Sequence, residues 1–263
     1  MMTFLEKKIS EDVSAVYIEN PNYLGTIETK VADISRLAKS VGAEFVVGAD
    51  PTSLGVLEAP GNYGATIVCG DLQPLGLHMK WGGALSGYIA SIDEEKYVAE
   101  YPDLLFGITT TQEEGEYGFG HVAFDRTSYA EREEGKEFIG TTTALYGIVA
   151  GVYLALMGPE GMKELGEGIM QRIKYAQSLL SDIEGIEIAS ETACFKEFVV
   201  KYTDTDMSVK EINEALKEEG IFGGRDLSEE FEEMGNAALF SITEVHQKED
   251  IQELALALEK VLN

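Results

Sequence analysis

The sequence contains few of the residues on which metal, redox and disulfide-stabilised proteins depend. Its 263 residues include 2 cysteines and 3 histidines. Cys69 lies within an apolar run and Cys194 just before another, so their spacing matches neither a zinc site nor a disulfide framework. His78, His121 and His246 are far apart and form no ligand motif such as HExxH. The sequence therefore predicts no metal site.

Basic residues are also scarce. The 20 lysines and arginines face 47 aspartates and glutamates, which gives a formal net charge of −27. Such a charge repels nucleic acids and anionic membrane surfaces. No run of about 18 apolar residues stands out as a membrane span, and the first eight residues contain no apolar signal region. We therefore expect a cytoplasmic globular protein with neither nucleic acid nor membrane as a partner.

The first half of the chain contains short apolar runs of the kind found in buried strands. Residues 13–18, 44–49 and 64–70 read as strands, and residues 27–40 have helical spacing, so the first two strands and this helix predict a βαβ unit. A further strand is expected at 84–90, after Gly82-Gly83. Together these elements predict part of a doubly wound, mainly parallel sheet.

The pattern changes after residue 141. Residues 143–157 are almost uniformly apolar, which predicts a helix too short to span a bilayer and buried between layers. Gly158-Pro159 should end this helix before a second one at 162–183. Strands at 186–188, 198–202 and 237–243 then alternate with helices at 208–220 and 248–262. Ser208, with Glu211 three residues later, predicts a capping box for the first of these helices.

The predicted domains follow from this change of pattern. Residues 1–140 should form a partial large α/β domain, residues 141–183 two linking helices, and residues 184–263 a small α/β domain.

The most informative segment is the one around Asp50. A strand that ends in an aspartate, followed by a second strand and a loop, has the layout of a pyridoxal-phosphate site at the carboxyl edge of a parallel sheet. Such a site requires a carboxylate beside the pyridine nitrogen and a lysine that holds the aldehyde. Asp50 provides the carboxylate, but residues 71–76 contain no lysine. The alternative is that Asp50-Pro51 simply begins a turn.

Five motifs resemble the glycine decarboxylase family, the P-protein of the glycine cleavage system, and specifically its subunit 1, which lacks the cofactor lysine. They are Pro21–Gly25 (PNYLG), Asp50–Gly55 (DPTSLG), Pro60–Ala65 (PGNYGA), Gln73–Gly76 (QPLG) and Phe195–Val200 (FKEFVV). The resemblance extends over almost the whole chain and is to the C-terminal portion of that subunit. It implies a fold-type I pyridoxal-phosphate transferase-like α/β fold.

The resemblance also implies that two different subunits have different roles in the enzyme. A lysine-bearing P-protein subunit would hold the pyridoxal phosphate, remove the carboxylate of glycine as CO₂ and pass the aminomethyl group to a lipoyl carrier protein. This chain would bind no cofactor by itself and would be inactive alone, as part of a homo- or hetero-oligomeric glycine dehydrogenase (aminomethyl-transferring). An apolar sheet edge without its opening strands would also favour self-association or a bound partner.

The same comparison identifies residues of a pseudo-site rather than catalytic residues. Aligned on Gly82-Gly83, Leu75 takes the position of the anchoring lysine. The pseudo-site candidates are Asp50, Gln73, Leu75 and His78. Lys80 is the only nearby amine, and it lies five residues beyond Leu75.

Two alternatives remain open. In segment 137–140, Glu137, Phe138 and Gly140 replace the Ser-Asn and Cys of a family motif, which suggests a diverged pseudoenzyme with an assembly or regulatory role. The other alternative is a stand-alone pyridoxal-phosphate lyase that uses Lys80 as its Schiff-base lysine.

Overall fold

The computed structural model describes residues 2–77, 85–137, 143–190 and 192–262. The strands are β1 (Ala15–Glu19), β2 (Glu44–Gly48), β3 (Ile67–Asp71), β4 (Gly87–Ser91), β5 (Phe106–Thr110), β6 (Tyr117–His121), β7 (Ile186–Ile188), β8 (Glu197–Tyr202), β9 (Arg225–Asp226) and β10 (Ala237–Ser241). The α-helices are α1 (Met2–Lys8), α2 (Val31–Ser40), α3 (Glu95–Val98), α4 (Ala144–Ser181), α5 (Val209–Glu218) and α6 (Lys248–Leu262).

The first sheet has the strand order β1-β2-β3-β4. Strands β1, β2 and β3 are parallel, as predicted, whereas β4 pairs with β3 in the antiparallel direction. An antiparallel edge strand on an otherwise parallel sheet is common in α/β folds. The core of this sheet contains Ile34 of α2 and Phe45 of β2, both with no exposed surface. The apolar spacing of α2 therefore serves to cover one face of the sheet.

The second sheet has the order β7-β8-β10-β9 and is antiparallel throughout. Ile169 and Ile173 of α4, Ile212 of α5 and Leu258 of α6 pack with its strands in the largest apolar cluster of the described residues. Helix α5 begins with the predicted capping box, in which Ser208 and Glu211 bond to each other's backbone N–H. The elements expected from residue 186 onward are all present.

Strands β5 and β6 form a separate two-stranded antiparallel sheet. Phe106 pairs with His121 in its register. The rings of Phe106 and Phe119 stack with centroids 5.4 Å apart, yet 51% and 71% of these residues remain exposed. One aromatic face of this hairpin is therefore open to solvent.

Helix α4 differs from the prediction. Gly158 breaks its regular conformation, with φ 61° and ψ −179°, but Pro159 continues directly into the second helical stretch. The first stretch is not buried between layers: Ala150 is its one buried residue within the described range, and Leu156 is 83% exposed. A run of apolar residues predicts burial only if another element covers it, and the described elements leave most of this run exposed.

Helix α4 is also long and apolar enough to cross a membrane, judged by length and composition alone, and only 11% of its most apolar 18-residue window is buried. The prediction that this stretch is too short is therefore corrected. A single helix of this kind is weak evidence for a membrane, because an apolar helix that meets another protein has the same composition.

Close backbone contacts join the first 75 residues to the second half of the chain. Thr26 forms an isolated antiparallel bridge with Cys194, and the Phe195 N–H donates to the Gly25 carbonyl at 2.9 Å. Gly25 has φ +81°, and a Cβ at this position would lie 1.8 Å from the carbonyl oxygen of Glu197. The glycine permits an approach that no side chain would allow, and it brings the start of β8 next to the end of β2.

Candidate functional site

The predicted location of the site is a real cavity. It has a volume of about 300 Å³ and lies at the carboxyl ends of β1, β2 and β3, where ligands bind in open α/β sheets. Three carboxylates line it, one following or ending each strand: Glu19, Asp50 and Asp71. We call it the sheet-edge cavity.

The sheet-edge cavity depends on close packing around two glycines. A Cβ on Gly48 would lie 2.5 Å from the Tyr17 hydroxyl oxygen, and one on Gly70 would lie 2.2 Å from the Ala49 carbonyl oxygen. The Tyr88 hydroxyl, from β4, donates to that same Ala49 carbonyl at 2.8 Å. Small residues at the strand ends thus leave room for two tyrosine side chains at the cavity.

These tyrosines are held in their neutral form. Burial raises the pKa of Tyr88 to about 12, and the nearby Cys69 and Asp50 side chains add to the rise. Burial also raises the pKa of Tyr17 to about 12, together with the Glu19 carboxylate, whose Oε1 accepts a hydrogen bond from Tyr17 at 3.1 Å. Both phenols are therefore hydrogen-bond donors at neutral pH and do not act as bases.

Asp50 has no free carboxyl oxygen. Its Oδ1 accepts from the Thr52 N–H at 2.8 Å and from the Thr52 hydroxyl at 2.6 Å. Its Oδ2 forms an ion pair with the Nζ of Lys196. The turn beginning at Asp50-Pro51, which the sequence offered as an alternative, is present, so the aspartate both starts a turn and faces the cavity.

Lys196 reaches Asp50 from the residue that precedes β8. The next residue, Glu197, has its pKa raised to about 7; burial is the largest cause, Lys196 opposes the rise and Asp50 adds to it. The Ser241 hydroxyl donates to the Glu197 carboxylate at 3.4 Å. Two carboxyl groups and one ammonium group therefore meet where the two sheets approach each other.

The other pseudo-site candidates are placed differently. Leu75 is a core residue with 2% of its surface exposed. Gln73 organises its own turn, because its N–H donates to Asp71 at 2.7 Å and its side-chain amide donates to the Leu77 carbonyl. His78 lies outside the described residues, as do Lys80 and the Gly82-Gly83 turn. The assignment of these residues to a pseudo-site stays a prediction.

The altered segment around residue 137 is described only at its first residue. Glu137 accepts from the N–H of Ser128 at 2.7 Å and also from its hydroxyl, and the Ser128 hydrogen bond is the main reason that its pKa is lowered. Phe138 and Gly140 lie outside the described residues. Nearby, the buried Arg126 donates to the Tyr101 carbonyl at 3.1 Å.

The sheet-edge cavity does not offer a pyridoxal-type cofactor its two anchoring groups. No lysine is among the described residues that line it, and the Asp50 carboxylate that would face a pyridine nitrogen is already paired with Lys196. The described residues also contain no group of three potential metal ligands. Without an anchoring amine, and with the Asp50 carboxylate paired internally, the described residues of this cavity do not fit a pyridoxal-type cofactor.

Sequence reasoning missed Lys196. The lysine is 146 positions from Asp50, and a single basic residue before an apolar strand carries no local signal of its partner. Glu197 was missed for the same reason, since its raised pKa depends on burial by distant parts of the chain.

The chain is similar in sequence to proteins of one family. A family model described as Glycine cleavage system P-protein matches residues 2–258. The chain is 34% identical to the probable glycine dehydrogenase (decarboxylating) subunit 1 of Staphylothermus marinus, over 98% of this chain and 55% of that protein. It is 36% identical to the protein of the same name from Pyrococcus furiosus, over 98% and 56%. The chain thus spans about half the length of these curated relatives.

Solved structures agree. A crystal structure of glycine decarboxylase (P-protein) of the glycine cleavage system, in inhibitor-bound form, has a TM-score of 0.84 and 35% identity, covering 97% of this chain and 56% of its own. A NifS-like protein from Rickettsia africae shares the fold alone, with a TM-score of 0.67, 14% identity and coverage of 98% and 64%. These likenesses confirm the predicted fold-type I α/β fold. By its sequence and its fold, the chain belongs to the glycine cleavage system P-protein family.

Proposed function

We propose that this chain is an accessory subunit, or part of one, of a pyridoxal-phosphate-dependent glycine decarboxylase. The observation that carries the proposal is Leu75. This buried side chain occupies the position at which the resemblance places the anchoring lysine, and a leucine cannot form a Schiff base. A lysine-bearing P-protein subunit would then supply the cofactor and the anchor, and this chain would help to enclose that subunit's site.

In this proposal the chain provides shape rather than a reacting group. When bound to its partner, pyridoxal phosphate supplies an electron sink for the loss of the glycine carboxylate. The lipoyl carrier protein would meet the complex through the partner. Its cytoplasmic location and its oligomeric state stay predictions, as does the division into three segments at residues 140 and 183.

A surface suitable for the partner is present on α4. We define the apolar face of α4 by four exposed side chains that helical spacing places on one side: Leu145, Ile148, Val152 and Leu156. Contiguous exposed apolar surface of this kind marks interaction sites in soluble proteins. We assign it to the lysine-bearing subunit.

The test is reconstitution. The chain is mixed with a lysine-bearing P-protein subunit loaded with pyridoxal phosphate, and exchange of labelled CO₂ into glycine is measured with each protein alone and with both. We expect exchange only in the mixture. Leu156→Glu should weaken complex formation at least tenfold in analytical ultracentrifugation, whereas Gln171→Glu, which adds the same charge at an exposed position of α4, should leave it unchanged.

Borohydride reduction of the chain with pyridoxal phosphate provides the second arm. A stoichiometric adduct at Lys80 would refute the accessory role and establish the lyase alternative. Complex formation without any exchange activity would instead establish a pseudoenzyme. Binding to lipid vesicles rather than to the partner, lost in Leu156→Glu, would show that the apolar face of α4 meets a membrane.

A further inference from the structure

Lys196 adopts an unusual backbone conformation for its residue type. Its φ is +62°, and it is one of two described non-glycine residues with a positive φ. Side chains other than Asn, Asp and Gly rarely occupy this region. The backbone here is constrained by the neighbouring contacts of Gly25 and Phe195, so an asparagine would suit the position better than a lysine. The lysine must therefore be explained by what its amine does.

The amine of Lys196 is enclosed on two sides. Its Nζ pairs with Asp50 Oδ2, and the two side chains are only 12% and 24% exposed. On another side it lies 5.9 Å from the ring centroid of Phe195, within the range of a cation–π contact. An ammonium group between a carboxylate and an aromatic ring has the contacts that a bound organic cation would make.

A guest cation at Asp50 would have to displace this amine. The other oxygen of Asp50 is held by Thr52, so both cations would have to share Oδ2, and their mutual repulsion opposes this arrangement. A displaced Lys196 would also lose its only described carboxylate partner in a partly buried position, which is unfavourable for a charge. Internal pairing therefore competes directly with binding.

We infer that Lys196 is a built-in counter-ion of Asp50, which excludes a cationic ring, such as the protonated pyridine of a pyridoxal-type ligand, from the sheet-edge cavity of this chain. The inference rests on the proposed accessory role and adds a second reason for it. Leu75 removes the covalent anchor, and Lys196 removes the ring's carboxylate partner. Lys196 is thus a specificity-determining residue, because its ammonium group occupies the carboxylate that a cationic ring would need.

The side chains that line the cavity determine which ligand is suitable for a binding test. The remaining carboxylates that line it are Glu19 and Asp71, which disfavour a phosphate but suit an amine. Pyridoxamine carries a protonatable ring nitrogen and an amine, has no phosphate, and cannot form a Schiff base with surface lysines. Its binding is measured by isothermal titration calorimetry and by its own fluorescence.

Three variants isolate the contribution of Lys196. Lys196→Asn removes the amine and relieves the positive φ, so the protein should fold. It should bind pyridoxamine at least tenfold more tightly than the wild type, while Lys201→Asn, in the adjoining strand β8, should behave as the wild type. The double variant Lys196→Asn with Asp50→Asn should lose the gain. An unchanged affinity in Lys196→Asn, or a gain that survives in the double variant, would overturn the inference.

Amine labelling tests the ion pair independently of ligand binding. Acetic anhydride should acetylate Lys196 at least tenfold more slowly than the exposed Lys210, as followed by peptide mass spectrometry. Asp50→Asn, which can still accept from Thr52, should remove most of this protection. Equal rates with and without the Asp50 carboxylate would overturn the inference even if Lys196→Asn failed to fold.

The two proposals fail in different ways. A borohydride-trapped cofactor adduct in the wild-type chain overturns the accessory role. A missing gain of pyridoxamine binding in Lys196→Asn overturns only the assignment of Lys196.

Discussion

Replacing Glu197 with glutamine should make the protein more stable at alkaline pH. Burial raises the pKa of this carboxyl from its ordinary value of 4.5 to about 7, so the folded protein holds the proton more tightly than the unfolded chain does. The stability that Glu197 contributes in its protonated form is complete at low pH and is lost as the pH rises through about 7. Glutamine keeps the shape and a neutral group, and it removes this loss.

The magnitude follows from the same two values. Between pH 5.5 and 8.5 the wild type loses the stability that Glu197 contributes over the interval from pH 5.5 to about 7. At about 1.4 kcal/mol per pKa unit, this loss is about 2 kcal/mol of the free energy of unfolding. Glu197 is only partly buried, so solvent screening reduces the expected effect to about 1 kcal/mol. The free energy of unfolding of Glu197→Gln, relative to wild type, should therefore rise by ~1 kcal/mol over this pH range.

Urea denaturation followed by circular dichroism at pH 5.5 and 8.5 measures this difference. Glu187→Gln is the matched control, because Glu187 lies in the neighbouring strand β7 and is exposed. The control should show the same difference from wild type at both pH values. A Glu197→Gln difference that is constant with pH, or that shrinks as the pH rises, would refute the assignment of a raised pKa to this carboxyl.

Three further substitutions test the packing that positions the site. Gly25→Ala should lower the free energy of unfolding by at least about 3 kcal/mol, because its Cβ would meet the Glu197 carbonyl at 1.8 Å; a loss below 1 kcal/mol in urea titration would contradict this contact. Ser208→Ala should cost about 1 kcal/mol in the same assay, since it removes the capping box, and an unchanged midpoint would exclude that contribution. Arg126→Met should speed amide exchange between residues 101 and 126, because the buried guanidinium donates to two backbone carbonyl groups there; unchanged exchange would show that these bonds do not hold the segment.

The elements that the sequence predicted well are those whose signals are local. Ser208 and Glu211 are three residues apart, and the capping box they form needs nothing from the rest of the chain. The apolar alternation of α2 and the runs that form β1 to β3 likewise need only one covered face. Strand direction is not local, and so the antiparallel pairing of β4 with β3 could not be read from the sequence.

The burial of α4 was predicted wrongly for a related reason. Its composition is that of a buried helix. Apolar composition indicates that burial is favourable, but it does not indicate which element or molecule covers the helix. Leu156 and its neighbours on the apolar face of α4 are instead largely exposed. The same sequence pattern is thus produced by an internal core and by an interface with another molecule, and only the structure separates the two.

The candidate site shows why membership of this fold does not by itself establish cofactor binding. The shape of the sheet-edge cavity depends on two glycines, because the Tyr17 side chain approaches Gly48 and the Ala49 backbone approaches Gly70. Cofactor binding depends instead on one lysine and one free carboxylate. Leu75 in place of the lysine, and the Lys196 ammonium group paired with the carboxylate, would remove both requirements without moving a strand. The backbone can therefore stay close to that of a glycine decarboxylase, with a TM-score of 0.84, while on our proposals the binding chemistry would depend on Leu75 and Lys196.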